Sequence, residues 1–279
     1  MLSYQHGYHA GAFADVVKHL TLIRILRYLC LKEKPIFYLE THSGKGLYDL
    51  KSPESLKTGE AGEGISQLWE NRSNLSEIFS PYFDSIQECN PDGELRYYPG
   101  SPLIAMQHLR QIDRLYCCEL HPREFQDLQQ IKRFNQSKIK LHLAHADGLA
   151  QLSGLLPPPE RRGLIFIDPS YEIKTEYQEI PRYVDAAYRR FNQGVYCIWY
   201  PIVEKKWNTQ LMAHFSKINA KSLCIEFNRM DIKHAGMTGC GLWIINPPYL
   251  LAAELKLALS ELVKIFNFGE SSYEIIERD

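Results

Sequence analysis

IFYLETHSGKG, residues 36–46, is the segment of the chain whose structural meaning is clearest. Residues 36–39 form an apolar run typical of a buried strand, and Glu40 follows immediately before a turn that contains Gly44 and Gly46. Doubly wound α/β sheets bind nucleotides where a glycine-rich turn and an acidic side chain follow a strand. Glycine lets the backbone approach such a ligand closely. We interpret the segment as part of a nucleotide site, with an ordinary tight turn between strand and helix as the alternative.

Six further segments of the chain are predicted to be strands, namely 115–118, 139–143, 164–167, 195–200, 222–227 and 242–245. Helical periodicity between most of them predicts a parallel, doubly wound sheet. Only about 14 residues separate the last two strands, which favours a hairpin, because a parallel crossover usually needs a helix. A mostly parallel seven-stranded sheet with an antiparallel last strand is the Rossmann-like α/β architecture of class I methyltransferases.

The first two predicted strands are separated by about 75 residues, where a complete crossover unit needs roughly 30. Ser101 and Pro102 are typical of a helix N-cap followed by a proline at the first helical position, so the crossover helix is predicted to begin there. Residues 50–98 are then a small helical insertion. We expect a single domain over residues 1–279 that contains this insertion.

Four acidic residues stand at or just after the carboxyl ends of four consecutive predicted strands: Glu40, Glu119, Asp147 and Asp168. Each alone is more often a helix cap or a turn residue. In a parallel sheet they line one crevice together, where Glu119 is suited to accept from ribose hydroxyls and Asp147 from an adenine amine.

The fourth of these acids begins Asp168-Pro169-Ser170-Tyr171, which resembles the [DNS]PP[YFW] motif of amino-methyltransferases. An adenine N6 amine is a poor nucleophile, and a carboxylate and a carbonyl that accept its two hydrogens aim its lone pair at a sulfonium methyl. We assign the carboxylate to Asp168, the carbonyl to Pro169 and a stacking ring to Tyr171. Residues 246–249, NPPY, match the motif more literally, but an antiparallel last strand carries them away from the crevice, so we interpret them as a turn.

The N-terminal segment is rich in polar groups, with Tyr4, His6, His9, Asp15, Lys18 and His19 close together. We expect it to lie over the crevice and to contribute to cofactor and base binding. The alternatives are a polar loop with Asp15 as N-cap and a metal site built from histidines and Asp15; we predict no metal.

Composition limits the protein class. The net charge is -1, there are seven cysteines without CxxC spacing, and no apolar run approaches the roughly 20 residues of a membrane span. We expect buried reduced thiols, a cytoplasmic location, no membrane partner and a monomer. The near-neutral charge argues weakly against a nucleic-acid partner, although local basic pairs such as Arg189-Arg190 and Lys205-Lys206 offer a contact face.

Nearly the whole chain resembles the bacterial 23S ribosomal RNA adenine-N6 methyltransferase family known as RlmJ. The motifs that carry this resemblance are residues 1–4, 6–11, 14–19, 41–42, 95–105, 119–122, 146–148, 162–164, 199–201 and 245–248. The resemblance implies S-adenosylmethionine as cofactor, contacted by His19, His42, Ser101, Glu119, Asp147 and Gly148, to which the crevice adds Lys18, Glu40, Gly44 and Asp168. It implies Asp168 as the catalytic acceptor, with Tyr4 and His6 organising the pocket of the target base.

Three positions depart from the family pattern. Ser170 replaces a second proline, Glu40 stands where aspartate is usual, and Lys45 lies in the glycine turn. The resemblance implies 23S ribosomal RNA as partner, and the low charge favours protein-free or partly assembled RNA. The alternatives are a DNA adenine-N6 methyltransferase and a non-catalytic nucleic-acid-binding protein in the use of external DNA.

Overall fold

The computed structural model describes residues 5–229, 236–266, 268–269 and 271–278. Tyr4 therefore lies outside the described residues. The helices are α1 Phe13–Cys30, α2 Pro53–Thr58, α3 Ile65–Glu70, α4 Ser80–Cys89, α5 Ser101–His108, α6 Pro122–Leu128, α7 Gly148–Leu155, α8 Glu176–Arg190, α9 Lys205–Phe215 and α10 Leu251–Ile265. The strands are β1 Phe37–Glu40, β2 Leu47–Asp49, β3 Tyr97–Pro99, β4 Arg114–Glu119, β5 Lys140–His145, β6 Gly163–Ile167, β7 Val195–Ile202, β8 Ser222–Arg229, β9 Gly239–Ile245 and β10 Ser271–Arg278.

Among the described residues, the main sheet has eight strands in the order β10-β8-β9-β7-β6-β1-β4-β5. β1 lies between β4 and β6 and is parallel to both, while β9 is antiparallel to β7 and to β8. The predicted α/β fold with an antiparallel seventh strand is therefore confirmed. The prediction of seven strands falls short by one, because the C-terminal strand β10 adds an antiparallel edge along β8.

The parallel strands bring their carboxyl ends to one edge of the sheet. Glu40 and Glu119 are the last residues of β1 and β4, and Asp168 directly follows β6. β9 runs in the opposite direction, since Gly239 pairs with Ile202 and Ile245 with Tyr196. Residues 246–249 consequently lie at the other end of the sheet, where the parallel strands begin, as the hairpin interpretation predicts.

Two apolar cores cover the two faces of the sheet. One contains α1, which is buried on nearly every side and packs against α5 and α10. The other lies beneath α8 and α9. Within the described residues, no helix is both long and apolar enough to cross a membrane. All seven cysteines are free thiols, and five of them are buried.

Residues 50–98 contain α2, α3 and α4 with short 3₁₀ turns between them. β2 and β3 pair with each other at the two ends of this segment. The buried side chains of α3 and α4, including Trp69 and Tyr82, belong to the same apolar cluster as α1. The segment therefore packs against the main body of the protein.

One helix start differs from the prediction. The N-cap of α5 is Gly100, and Ser101 is its first residue, so Ser101 does not cap the helix. Its hydroxyl is used instead to donate a hydrogen bond to Glu40 Oε1.

Candidate active site

A cavity of about 740 Å³ opens at the carboxyl edge of the sheet. The predicted site residues that line it are His6, Lys18, His19, His42, Gly44, Ser101, Glu119, Asp147, Gly148, Asp168, Pro169 and Tyr171. Residues far apart along the chain are thus brought to one place by β1, β4, β6 and the first turns of α1. Glu40 differs from the others, because it is fully buried and does not line the cavity.

Lys18 joins two carboxylates on the cavity wall. Its Nζ lies 2.7 Å from Asp15 Oδ1 and 2.6 Å from Asp168 Oδ2, although Lys18 is 150 residues away from Asp168 in sequence. Asp15 Oδ2 also accepts from the backbone N–H of Gly11 and lies 2.9 Å from His6 Nε2. Lys18 and Asp15 are both buried, so the cluster is a rigid, shielded ion-pair network.

The charges in this network stabilise one another. Burial alone would raise the pKa of the Asp15 carboxyl, but His6 and Lys18 hold that pKa well below its ordinary value. Burial would likewise lower the pKa of Lys18, but the carboxylates of Asp15 and Asp168 raise it. Lys18 therefore keeps its positive charge beside Asp168 and fixes the orientation of that carboxylate.

Glu40 lies beneath the cavity floor. Its carboxyl group accepts hydrogen bonds from Ser101 and, at 3.1 Å, from Tyr38 Oη. Complete burial raises the pKa of Glu40 to about 8, against the lowering effect of the Ser101 hydrogen bond. Glu40 thus ties α5 to the end of β1 and acts on the cavity through Ser101.

Glu119 connects the glycine-rich turn to the next loop. Oε2 accepts from the Gly44 N–H and Oε1 from the His121 N–H, each at 2.7 Å. Each carboxylate oxygen has a further lone pair, so Glu119 can still accept from hydroxyl groups in the cavity. Asp147 caps α7, because its Oδ1 accepts from the N–H groups of Leu149 and Ala150.

The two histidines predicted to contact the cofactor are held by hydroxyl groups. Nδ1 of His19 lies 2.8 Å from Tyr98 Oη, which lies 3.0 Å from Tyr82 Oη on α4. Burial lowers the pKa of His19 to about 3, so its ring is neutral near pH 7. His42 Nδ1 lies 2.8 Å from Thr41 Oγ1, and burial lowers the pKa of His42 too.

These residues fit the expected cofactor. A Cβ on Gly148 would lie 2.2 Å from the Thr41 carbonyl oxygen, so the turns after β1 and β5 touch there and form a tight cradle. Gly44 has a φ of 58°, in the left-handed region that favours glycine. Around this cradle stand carboxylates for hydroxyl or amine donors and neutral histidines. Such a set suits a nucleoside with an amino-acid tail, which is the composition of S-adenosylmethionine.

The Asp168-Pro169-Ser170-Tyr171 segment leaves β6 and enters the cavity wall. Tyr171 has a φ of 53°, an uncommon conformation for a bulky residue that often marks a functional site. Its ring is buried, with the ring centroids of Tyr177 and Trp199 at 4.6 and 6.4 Å. At the other end of the sheet, Tyr249 of the rival motif is 89% exposed, and Asn246 donates to the carbonyls of Asn192 and Gly194.

Sequence reasoning missed several residues of the cavity. The sequence predicts Asp15 as part of a segment over the crevice, as a helix cap or as a metal ligand, but it does not predict the ion pair with Lys18, and it assigns no individual role to Trp199, Tyr177 or Trp207. In the described ranges, no three His, Cys, Asp or Glu side chains are grouped as a metal site requires. Lys18 at helical spacing from Asp15 was the one local clue to their ion pair.

Comparison with known proteins agrees with this geometry. Residues 33–272 match the family model described as ribosomal RNA large subunit methyltransferase D, RlmJ. A protein called ribosomal RNA large subunit methyltransferase J from Haemophilus influenzae is 45% identical to this chain, over 95% of this chain and 94% of the relative. A protein of the same name from Escherichia coli is 41% identical, over 93% of this chain and 92% of the relative. A crystal structure of a Legionella pneumophila protein has 51% identity and a TM-score of 0.91, covering 96% of this chain and 98% of that one.

The matched family consists of methyltransferases, and S-adenosylmethionine is the methyl donor of this enzyme. With a family model over most of its length and two relatives above 40% identity, the chain belongs to the RlmJ family of methyltransferases.

Proposed function

We propose that this enzyme transfers a methyl group to the N6 amine of an adenine in 23S ribosomal RNA. The relatives from H. influenzae and E. coli are named as methyltransferases of large-subunit ribosomal RNA, which supports the substrate class. The choice of the adenine amine rests on one observation of the site. Asp168 lies on the cavity wall beside Pro169, and its carboxylate is held by a buried lysine.

In this proposal the chain works mainly by positioning. S-adenosylmethionine supplies an electrophilic methyl group when it is bound. Lys18 donates to Oδ2 of Asp168, which leaves Oδ1 to accept one amine hydrogen, while the Pro169 carbonyl accepts the other. Two such acceptors aim the amine lone pair and stabilise the positive charge that develops on nitrogen. Tyr171 and Trp199 form the aromatic wall for the base.

The remaining assignments follow the cavity. We propose that His6 orders the base pocket through its contact with Asp15, together with Tyr4, and that Lys18 serves Asp168 more than the cofactor. His19, His42, Gly44, Ser101, Glu119, Asp147 and Gly148 are assigned to the cofactor, and Glu40 supports it indirectly through Ser101. We also propose that the chain is a monomer and folds as a single domain. Residues 50–98 are an insertion within that domain, because this segment shares the main core.

The substrate is tested by methyl transfer from labelled S-adenosylmethionine to protein-free 23S RNA and, in parallel, to adenine-containing DNA. The products are digested to nucleosides and scored for N6-methyladenosine from the RNA and for N6-methyl-2′-deoxyadenosine from the DNA. Label in the RNA is expected. Label only in DNA would keep the chemistry and change the substrate, and cofactor binding without label in either would contradict the proposal.

Assembly of the ribosomal subunit should suppress the reaction. A chain with a net charge of -1 has little general attraction for RNA phosphates, so binding depends on entry of the target nucleotide into the cavity, which a flexible, protein-free strand allows more readily. We therefore expect faster methylation of protein-free RNA than of assembled subunits. Equal rates on the two substrates would count against this part of the proposal.

Asp168→Ala tests the motif assignment. We expect this variant to bind S-adenosylmethionine and to lose methyl transfer by about 100-fold or more, since one preorganised electrostatic contact is worth that much in other enzymes. The control is Asn246→Ala in the rival motif, which should keep its transfer rate per folded molecule. Loss of transfer in Asn246→Ala with retention in Asp168→Ala would reverse the assignment.

A further inference from the structure

A row of aromatic rings leads from Asp168 to the surface of the protein. Lys18, which holds Asp168, has its Nζ 5.7 Å from the Trp199 ring, and Trp199 lies 6.4 Å from Tyr171. Tyr171 and Tyr177 are 4.6 Å apart, and Tyr177 and Trp207 are 5.6 Å apart, measured between ring centroids. All four rings line the cavity, so the row follows its wall from the catalytic end to the mouth.

The outer end of the row is Trp207, a half-buried residue on α9. Two exposed lysines flank its ring, with the Nζ atoms of Lys174 and Lys206 at 5.4 and 5.2 Å from the centroid. Lys174 comes from the loop after Asp168, so the two lysines reach Trp207 from different elements. Ile173 and Val203 beside them are 57% and 44% exposed.

This combination differs from ordinary packing. Tyr171 and Tyr177 are buried and contribute to the core under α8, but Trp207, Ile173 and Val203 present apolar surface at the mouth of a cavity. Proteins that bind single-stranded nucleic acid combine aromatic side chains for base stacking with cations for the phosphates. An exposed lysine can move from an aromatic ring to a phosphate at little cost in free energy, because its ammonium group is solvated in both positions.

We propose that Trp207, Lys174 and Lys206 form a second subsite, which takes the nucleotide next to the target adenine. The base of this nucleotide stacks on Trp207, and its phosphate lies between the two lysines. The proposal rests on the function proposed above, because it assumes that an adenine of single-stranded RNA occupies the inner end of the cavity beside Asp168.

The charges at the mouth indicate which interaction dominates. Glu172, Glu176, Glu179 and Glu204 also line the cavity, come from the same segments as the two lysines, and offset the attraction of the lysines for phosphate. Stacking on Trp207 therefore supplies most of the affinity of the subsite, and the two lysines together contact one phosphate. Loss of that phosphate contact should make the slope of log affinity against log salt less negative by about 0.7 for a single strand.

The stacking contact is tested with a short RNA that contains one adenine among uridines, because the adenine fixes the register. Binding is measured for the wild type, Trp207→Leu and Trp207→Phe, in the presence of S-adenosylhomocysteine. In two further RNAs, the uridine before or after the adenine is replaced by an abasic ribose. We expect Trp207→Leu to bind the intact RNA roughly five-fold or more weakly, and Trp207→Phe to retain most of the affinity.

Comparing the effect of Trp207→Leu on the intact and the abasic RNAs identifies which base stacks on Trp207. On the abasic RNA that lacks the stacked base, the wild type and Trp207→Leu should bind equally. The subsite is overturned if Trp207→Leu binds the intact RNA as tightly as the wild type, or loses the same factor on all three RNAs. Thermal unfolding and cofactor affinity of each variant confirm that the site itself is intact.

The lysines are tested by the salt dependence of Lys174→Ala/Lys206→Ala. Lys256→Ala/Lys264→Ala is the matched control, because it removes two exposed lysines of α10 that do not line the cavity. Only Lys174→Ala/Lys206→Ala should make the slope of log affinity against log salt less negative than in the wild type. Equal slopes for the two double variants would overturn the phosphate contact. If Trp207 contributes as expected but no N6-methyladenosine forms in any RNA, the proposed function fails and the subsite stands.

Discussion

At the scale of single residues, the buried carboxyl of Glu40 has the clearest physical consequence. It is fully buried, and its pKa of about 8 lies above the ordinary 4.5. The folded protein therefore binds this proton more tightly than the unfolded chain does. Between those two pH values, the stability contributed by protonated Glu40 is lost progressively as the pH rises.

Glu40→Gln should remove this pH dependence. The amide keeps the size of the side chain and carries no charge, so we expect the variant and the wild type to be similar in stability at pH 5. At pH 9 the variant should be more stable by on the order of a few kcal/mol, because the wild type then has a buried anion. Urea unfolding of the cofactor-free proteins at both pH values measures the difference. A difference that is the same at pH 5 and pH 9 would contradict the assignment.

The position of most predicted site residues at the cavity was predictable from the sequence, whereas their hydrogen-bond and ion-pair partners were not. Asp168, Glu119 and Asp147 follow strands, so strand prediction alone places them at one edge. The pairing of Lys18 with Asp168 joins residues 150 positions apart, and no local pattern encodes it. For Ser101, the local pattern predicts the wrong role. A serine before proline favours a helix cap, but the hydroxyl donates to the buried Glu40 instead.

At the scale of elements, the contact between the turns after β1 and β5 sets the shape of the cofactor cradle. Gly148→Ala should disturb it, because the added Cβ would lie 2.2 Å from the Thr41 carbonyl oxygen. We expect affinity for S-adenosylmethionine to fall about ten-fold or more, with a loss of thermal stability. Isothermal titration and thermal unfolding measure both effects.

Gly154→Ala is the control on the same helix. Nothing lies within 4 Å of the Cβ that it adds, so it should leave cofactor binding unchanged and stabilise α7 by roughly 0.5–1 kcal/mol. Equal losses of affinity in both variants would show that α7 responds to alanine generally and would remove the argument from the Thr41 contact.

The alternation of strands and helices predicted the parallel part of the sheet because buried strands are short, apolar and regularly spaced. The edge strand β10 escaped prediction for the converse reason. Its sequence, SSYEIIER, is mostly polar, and the half-buried Tyr273 and Ile275 are its main contacts with the core. An edge strand of this kind is specified by its pairing with β8 more than by its own pattern.

At the scale of the whole molecule, cofactor binding should be coupled to unfolding, since the cavity draws residues from α1, α5, α7 and several strand ends. A ligand at 100 times its dissociation constant stabilises the folded state by about 2.7 kcal/mol. For a chain of this size, that corresponds to a rise in Tm of roughly 5–10 °C. Differential scanning calorimetry should show this rise for the wild type and for Asp168→Ala.

At the same cofactor concentration, Gly148→Ala should show a smaller rise because its cradle is disturbed. A full shift in Gly148→Ala would contradict the role of the turn contact. No shift in Asp168→Ala would mean that Asp168 contributes to cofactor binding itself, and its role would then extend beyond the amine.

The distribution of tryptophans gives this protein a built-in optical reporter. Trp199 and Trp207 line the cavity, while Trp69 and Trp243 are buried in the two cores. Emission that changes when a ligand binds therefore comes from the first pair, and emission that changes only on unfolding comes from the second. The two ends of the cavity can be followed separately by replacing either Trp199 or Trp207 with phenylalanine, which keeps an aromatic ring at that position, without any added label.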